Sequence, residues 1–383
     1  MKTTVLGSLA TVCLLATFLV HIPSASSAED ESEAPPGSLA EYEAQLKAEE
    51  AARSKDPKWK PAFEQIDTIR VGKPGSQGAL ANFCLNAQGE ILVCWAPGKA
   101  QNAVKGSGKP GIRVYSPKGE LVRTIPLDIE PSAICTGPEG SLFVAGDGRI
   151  LRLDSDGKVM ASAASPVADL PVSISSELEQ MLEESARAQN ISVAEEKKRM
   201  LASLEQRRSE ITGLAATDTE VFMAVPAPTD FSFRVYRFDH ALSQPKLVVE
   251  KLRGCCGQMD IQTRDGKLWT AHNARHRVEC RDRDGTQVSG FGKAGRVKAA
   301  DFGGCCEPKN LRLLANGDIL AAESGPPTCI KRFSSDGKFL GVVALVPGKG
   351  ECVRVTVEAS PDGSRFYLLD TQSDAIRVFG TKA

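Results

Sequence analysis

The chain has 383 residues, 42% of them hydrophobic and 25% charged, with 34 Gly and 22 Pro. These proportions exclude both a mainly disordered chain and a collagen-like one, and the length suits one large repeat-built domain better than a minimal module. Forty-seven basic against 48 acidic residues leave a formal net charge of −1, so no basic excess exists to neutralise phosphates and no nucleic-acid partner is expected.

Lys2 precedes an uncharged apolar run from Val5 to Val20, followed by His21, Ile22, the helix breaker Pro23 and the small stretch Ser24 to Ala28. This order reads as a signal peptide over residues 1–28, with Ser26 and Ala28 small enough for the cleavage site. No later stretch is long and apolar enough to span a bilayer as a helix. The expected location is therefore secreted or periplasmic, with no membrane span once the signal is removed. Residues 29–62 read as an acidic spacer: nine acidic and five basic residues lie between Glu29 and Lys60, around Pro35-Pro36-Gly37. Such a stretch cannot build a core alone. Within it Ser38-Leu-Ala-Glu41 is a capping box that starts a short polar helix.

From Phe63 to Ala383 a pattern recurs: two short β-rich runs joined by a Gly turn, then a second Gly turn about twenty residues later. First turns fall at Gly89, Gly140, Thr219-Glu220, Gly266, Gly317 and Gly363. Second turns fall at Gly119, Gly157, Asp239-His240, Gly285 and Gly337. Each unit thus has four strands, the form of a propeller blade, with about 47 residues per blade. The sixth unit ends at Ile376-Arg-Val-Phe379 without its fourth strand, while an orphan strand, Asp67 to Val71, precedes the first. The N-terminal strand is expected to close the ring, which removes two open edges. The predicted fold is all-β, a six-bladed propeller over residues 63–383.

One insertion, residues 171–210, breaks the period. It holds two capping boxes, Ser176-Glu-Leu-Glu179 and Ser192-Val-Ala-Glu195, and reads as a helical hairpin. Its apolar stripes, Leu178, Met181, Leu182 and Met200, Leu201, Leu204, fit packing on each other and on the propeller; a lid or partner-docking pair is the other reading. Blade-joining loops and loops between second and third strands emerge on one face of a propeller, and both the insertion and Ala96 to Gly111 are of these kinds. That decorated face is the expected binding surface.

The repeated unit, with its Asp-Gly turns and third strands such as Ile330-Lys-Arg-Phe, resembles the NHL repeat. Gly254-Cys-Cys-Gly257, Phe302-Gly-Gly-Cys-Cys-Glu-Pro-Lys-Asn310, Glu323-Ser-Gly-Pro-Pro327 and the run from Ser360 to Asp370 are similar to a group of exported bacterial NHL-like proteins. The resemblance implies a fold and carries no activity with it. Six-bladed relatives also include calcium-dependent lactonase-type hydrolases, whose ion is held in the channel by carboxylates and Asn, so the resemblance does not choose a reaction.

Cys13 falls in the leader, leaving ten cysteines in the exported chain, an even number that suits disulfides in an oxidising compartment. Cys255-Cys256 and Cys305-Cys306 are separated by about one blade, and Cys352 holds a similar place before the last blade, which gathers five sulfurs at the channel mouth. Disulfides between blade-joining loops, a labile vicinal pair, or a Cu or Zn site completed by His272 or His276 are the three readings. Cys84, Cys94, Cys135, Cys280 and Cys329 read as buried packing. His272, Glu323 and Asp370 end second strands; with Glu307 and Asn310 they are ligand-face candidates, for Ca²⁺ or a polar ligand, or else loop caps. Arg113, Arg234, Lys331 and Arg377 alternate with apolar neighbours, as on a solvated strand face. No nucleophile elbow, P-loop or general-base pair is present. The expected function is a binding or protein-interaction module for a protein, glycan or small ligand. A metal-binding or redox-active propeller and a metal-dependent hydrolase are the alternatives, and catalysis is the less expected outcome.

Overall fold

The computed structural model describes residues 39–71, 80–97, 109–254, 257–325, 327–346 and 353–382. They form six four-stranded antiparallel sheets. Blades 1 to 5 follow the chain from their inner to their outer strands, starting at Leu80–Leu85, Ala133–Thr136, Gly213–Ala216, Ile261–Arg264 and Asn310–Leu313. Blade 6 takes three strands from the end of the chain, Val357–Ala359, Phe366–Asp370 and Ala375–Gly380, and its outer strand, Glu64–Arg70, from the front. Each inner strand neighbours the next, and the sixth neighbours the first. The ring closes as the sequence predicts, because the last strand would otherwise present a row of unpaired N–H and C=O groups.

The turn glycines have two separate causes. At Gly89, Gly266, Gly317 and Gly363 the backbone has positive φ, which favours Gly because a Cβ meets the carbonyl there. The second-turn glycines add a packing demand. A Cβ on Gly157 would lie 2.6 Å from Ile125, and one on Gly337 would lie 2.5 Å from Phe291; both neighbours belong to the outer strand of the preceding blade. The glycine period is therefore a record of blade-to-blade contact as well as of turn geometry.

Two helices interrupt the ring between blades 2 and 3. With α1 at Leu39–Lys55, these are α2 (Ser176–Gln189) and α3 (Val193–Arg207). Ser192 caps α3 by accepting from Glu195 N, as predicted. The cap of α2 is Ser175, one residue earlier than read, and its hydroxyl accepts from Leu178 N. Leu178, Leu182, Ala186, Met200 and Leu204 are buried. The hairpin is pinned to blade 3 by Arg207 over the rings of Phe231 and Phe233, and by Ser175 N donating to Thr229 O. The packing reading of this insertion is the one these contacts support.

The stretch read as a spacer holds α1 and then docks. Trp59 is buried and its Nε1 donates to Val297 O at 2.7 Å, while Arg53 donates to Arg296 O and Ala62 N to Val342 O. Lys331 places its ammonium 4.8 Å from the Trp59 ring. This corrects the solvated-face reading of Lys331, which is fully buried against Glu323. A strand's outward face is dry wherever another segment covers it, and here the segment before the closing strand does so.

Ile69 is 5% exposed on the closing strand, whereas Ile66 on the same strand is 39% exposed. Ile69→Ala is expected to destabilise the protein by about 2–5 kcal/mol, from lost transfer energy plus a cavity, and Ile66→Ala by less than about 0.5 kcal/mol. Urea midpoints of the two variants check this; equal shifts would contradict closure by this strand.

Candidate functional site in the central channel

The inner strands surround a cavity of about 210 Å³. At the loop-bearing end, five of the six blade junctions are crossed by a polar side chain at or beside an inner strand. Ser132 Oγ donates to Ile211 O (2.8 Å), Thr212 Oγ1 to Met259 O (3.1 Å), and Leu311 N to Asp260 Oδ2 (2.8 Å). Val357 N donates to Asn310 Oδ1 (2.8 Å), and Thr356 Oγ1 to Asn82 Oδ1 (2.9 Å). The remaining junction, blade 1 to blade 2, is apolar and includes Cys84, Ile112, Ile134 and Val144. These bonds use the first residues of short strands, whose side chains stand at the axis where neighbouring blades are closest.

Just above this collar two side chains cross the channel mouth. Arg354, before the inner strand of blade 6, donates to Ser132 O at 3.1 Å and to Gly257 O at 3.2 Å. Gln258 donates to Val355 O at 2.7 Å and accepts from Val355 N at 3.3 Å. At the opposite end the inner strands of blades 2 to 5 become more exposed toward their first turns. The cavity is thus bridged on the decorated face, while the more exposed ends of its lining strands lie toward the turn face.

The cavity lining includes Asp260 of the collar and, below it, Glu358, Arg312, Cys84 and Cys135. Arg312 Nε lies 2.9 Å from Glu358 Oε2. Burial pushes the Asp260 carboxyl up to about 7, the Glu358 charge adding to it against the Leu311 N–H. Burial likewise pushes Glu358 up to about 7, opposed by Arg312. Cys135 is raised to about 12 by burial. Sequence reasoning missed Asp260, Glu358 and Arg312. A signal existed: Arg312 and Glu358 stand five residues before a first-turn Gly, the same offset as Cys84 and Cys135, and all four line the cavity.

The predicted candidates other than Asn310 lie away from the cavity. His272 Nδ1 faces Glu279 Oε1 at 3.0 Å and its Nε2 accepts from Arg253 N at 2.9 Å, so both ring nitrogens are engaged. Burial raises Glu279, but the His272 hydrogen bond and the His272 and Arg281 charges outweigh it and hold the carboxyl at about 2. Glu323 pairs with Lys331 and accepts from Gly303 N at 2.8 Å; Asp370 pairs with Arg377 at 2.6 Å. These second-strand ends do not converge on a common centre; each pairs with a third strand. Glu307 Oε1 accepts from Ser324 N, Ser324 Oγ and Gly325 N at 2.8–2.9 Å. Burial pushes Glu307 up to about 8, partly offset by Lys309 and reinforced by the Glu323 charge. Asn310 is the one ligand-face candidate that reaches the cavity.

Cys255, Cys256 and Cys352 lie outside the described residues. Cys305 and Cys306 place their sulfurs 3.2 Å apart, in contact rather than bonded, and Lys309 Nζ donates to Cys306 Sγ at 3.1 Å. Among the described residues no group of three or more His, Cys, Asp or Glu is placed to hold a metal ion. Cys84, Cys94, Cys280 and Cys329 are buried on their strands, as read, whereas Cys135 is partly exposed and lines the cavity. No helix among the described residues is long and apolar enough to cross a membrane.

Three raised carboxyls make stability fall with pH. The folded chain keeps protons on Asp260, Glu358 and Glu307 that the unfolded chain releases near pH 4. Their contribution is complete below about pH 4 and is lost as pH rises through about 7 to 8. The urea midpoint is expected to drop between about pH 5 and 8.5, and Asp260→Asn, which keeps an acceptor for Leu311 N–H, is expected to flatten that drop. An unchanged slope in the variant would contradict the assignment.

No family model matches this chain, and no curated protein matches it. Solved structures do. A chain in the crystal structure of the mitotic checkpoint complex aligns over 94% of this chain and 99% of its own, at 8% identity and a TM-score of 0.50. A gluconolactonase from Xanthomonas campestris covers 84% and 99%, at 11% identity and 0.49. The β-propeller domain of Myceliophteria thermophila Cps50 (Swd1) covers 84% and 100%, at 11% and 0.47. At 8% identity the likeness to the first of these is one of fold alone.

Proposed function

We propose that this chain is an exported, NHL-like binding propeller that takes a small cationic ligand into its channel from the turn face. The leader-like residues 1–28 support export, and the Gly-turned four-strand period supports the NHL-like reading. The observation that carries the ligand assignment is Asp260. Asp260 is buried and its carboxyl held by neutral donors, while Arg312, the basic residue of the described lining, is paired with Glu358. Ionising Asp260 in that cavity is costly because a buried carboxylate loses its hydration, and a bound cation restores the lost interaction. The ligand is small, since the cavity is below the roughly 300–1,000 Å³ of sites for drug-sized molecules. The groups around Asp260 and Glu358 bind charge rather than supply a nucleophile with its base, so the reading is binding and not turnover.

Isothermal titration of small amines, guanidines and Ca²⁺ near pH 7, in buffers of different ionisation enthalpy, tests this. At least one cation is expected to bind with release of protons, and Asp260→Asn to weaken it at least about tenfold, equivalent to about 1.4 kcal/mol. Silence across the panel, or binding indifferent to the substitution, would overturn the assignment. Turnover in a parallel lactone panel would move the function to the hydrolase alternative.

A further inference from the structure

We propose that Cys305 and Cys306 form a thiol–disulfide exchange site that reacts with small disulfides and closes a bond between the two adjacent sulfurs. The site stands apart from the channel and does not depend on what binds there. Three features build it. The sulfurs are already 3.2 Å apart. Their exposures differ: Cys306 is fully buried, whereas Cys305 is partly exposed. Lys309, itself fully buried, donates to Cys306 Sγ at 3.1 Å, and a neighbouring ammonium favours thiolate over thiol.

The surrounding loop is pinned on both sides of the pair. Gly303 N donates to Glu323, and Glu307 accepts three bonds from Ser324 and Gly325. The strand cysteines offer a contrast. Burial raises the thiols of Cys84, Cys94, Cys280 and Cys329, which keeps them protonated and unreactive.

Chemically, the deprotonated Cys305 Sγ attacks one sulfur of a small disulfide, RS–SR. That S–S bond breaks, one RS⁻ departs and takes up the released proton, and a mixed disulfide remains on Cys305. The Cys306 thiolate then attacks Cys305 Sγ, forming the intramolecular bond and expelling the second RS⁻, which is protonated in turn. Two protein thiols are oxidised and one external disulfide is reduced to two thiols. The first residue is partly exposed and the second is buried, so the order of the two steps is set by exposure.

The test uses the full chain, reduced and then equilibrated in glutathione buffers from fully reduced to fully oxidised, with alkylation and peptide mass mapping. In wild type the peptide holding both cysteines is expected to become lighter by two hydrogen atoms in oxidised buffer and to revert in reduced buffer. In Cys306→Ser a glutathione adduct is expected on Cys305, and in Lys309→Met that adduct is expected to persist severalfold longer than in wild type. Alkylation of both thiols in fully oxidised buffer would overturn the proposal, as would cross-linking to Cys255, Cys256 or Cys352, or an adduct on Cys306 in Cys305→Ser as abundant as that on Cys305. Wild-type mapping decides the matter even where Lys309→Met does not fold.

Discussion

A ring of sheets has no stable open form, and closure is the constraint on which the rest of this molecule depends. It is met twice, at different radii. At the rim, the pairing of Glu64–Arg70 with Ala375–Gly380 supplies backbone hydrogen bonds to strands that would otherwise be edges. At the axis, Ser132, Thr212, Asp260, Asn310 and Thr356 each bind the following blade. One such bond is worth only about 0.5–1.5 kcal/mol net, but a buried group left without its partner costs about 1–3 kcal/mol. The collar therefore specifies how blades sit against each other more than it holds them together.

That collar is also what makes the channel polar, and its consequences diverge with the partners available. Glu279 and Asp260 are both buried acids in blade 4 or at its edge. Glu279 has His272 and Arg281 beside it and is held at about 2; Asp260 has neutral N–H donors and rises to about 7. Burial acts in the same direction on both, so the charge of the neighbour decides the outcome. A buried carboxyl without a cation of its own is the costlier arrangement, and it stands in the cavity, whereas the paired one stands within its sheet.

The fold was legible because its signals are local. Turn glycines, two-residue periodicity and the Ser192 cap each depend on a few adjacent residues, and the count of turns alone predicted a missing strand and where it had to come from. The site was much less legible. His272, Glu323 and Asp370 do end second strands as read, but their partners, Glu279, Lys331 and Arg377, sit across a hairpin, and strand ends alone do not show that these pairs satisfy one another. Lys331 looked solvated because alternation reports which face a side chain takes, and says nothing of Trp59 arriving from far away in the sequence to cover that face. The same holds for Arg354, whose bonds to Ser132 and Gly257 span the axis. Periodicity places a residue on a blade; only the closed ring decides what it meets.

The strand that completes blade 6 belongs to the front of the chain, and its partner to the far end. On a ribosome the first of these emerges hundreds of residues before the second, so the circle cannot be fastened until Ala375–Gly380 has been made. Until then Ile69 and the mostly polar strand around it wait for their partners, and contacts of such long sequence separation form slowly. The segment from Trp59 to Ala62, with its bonds to Val297 and Val342 in the region of blades 4 and 5, can dock before blade 6 exists. It would then park the waiting strand beside the gap it is to fill, turning a search through the whole coil into a short local one.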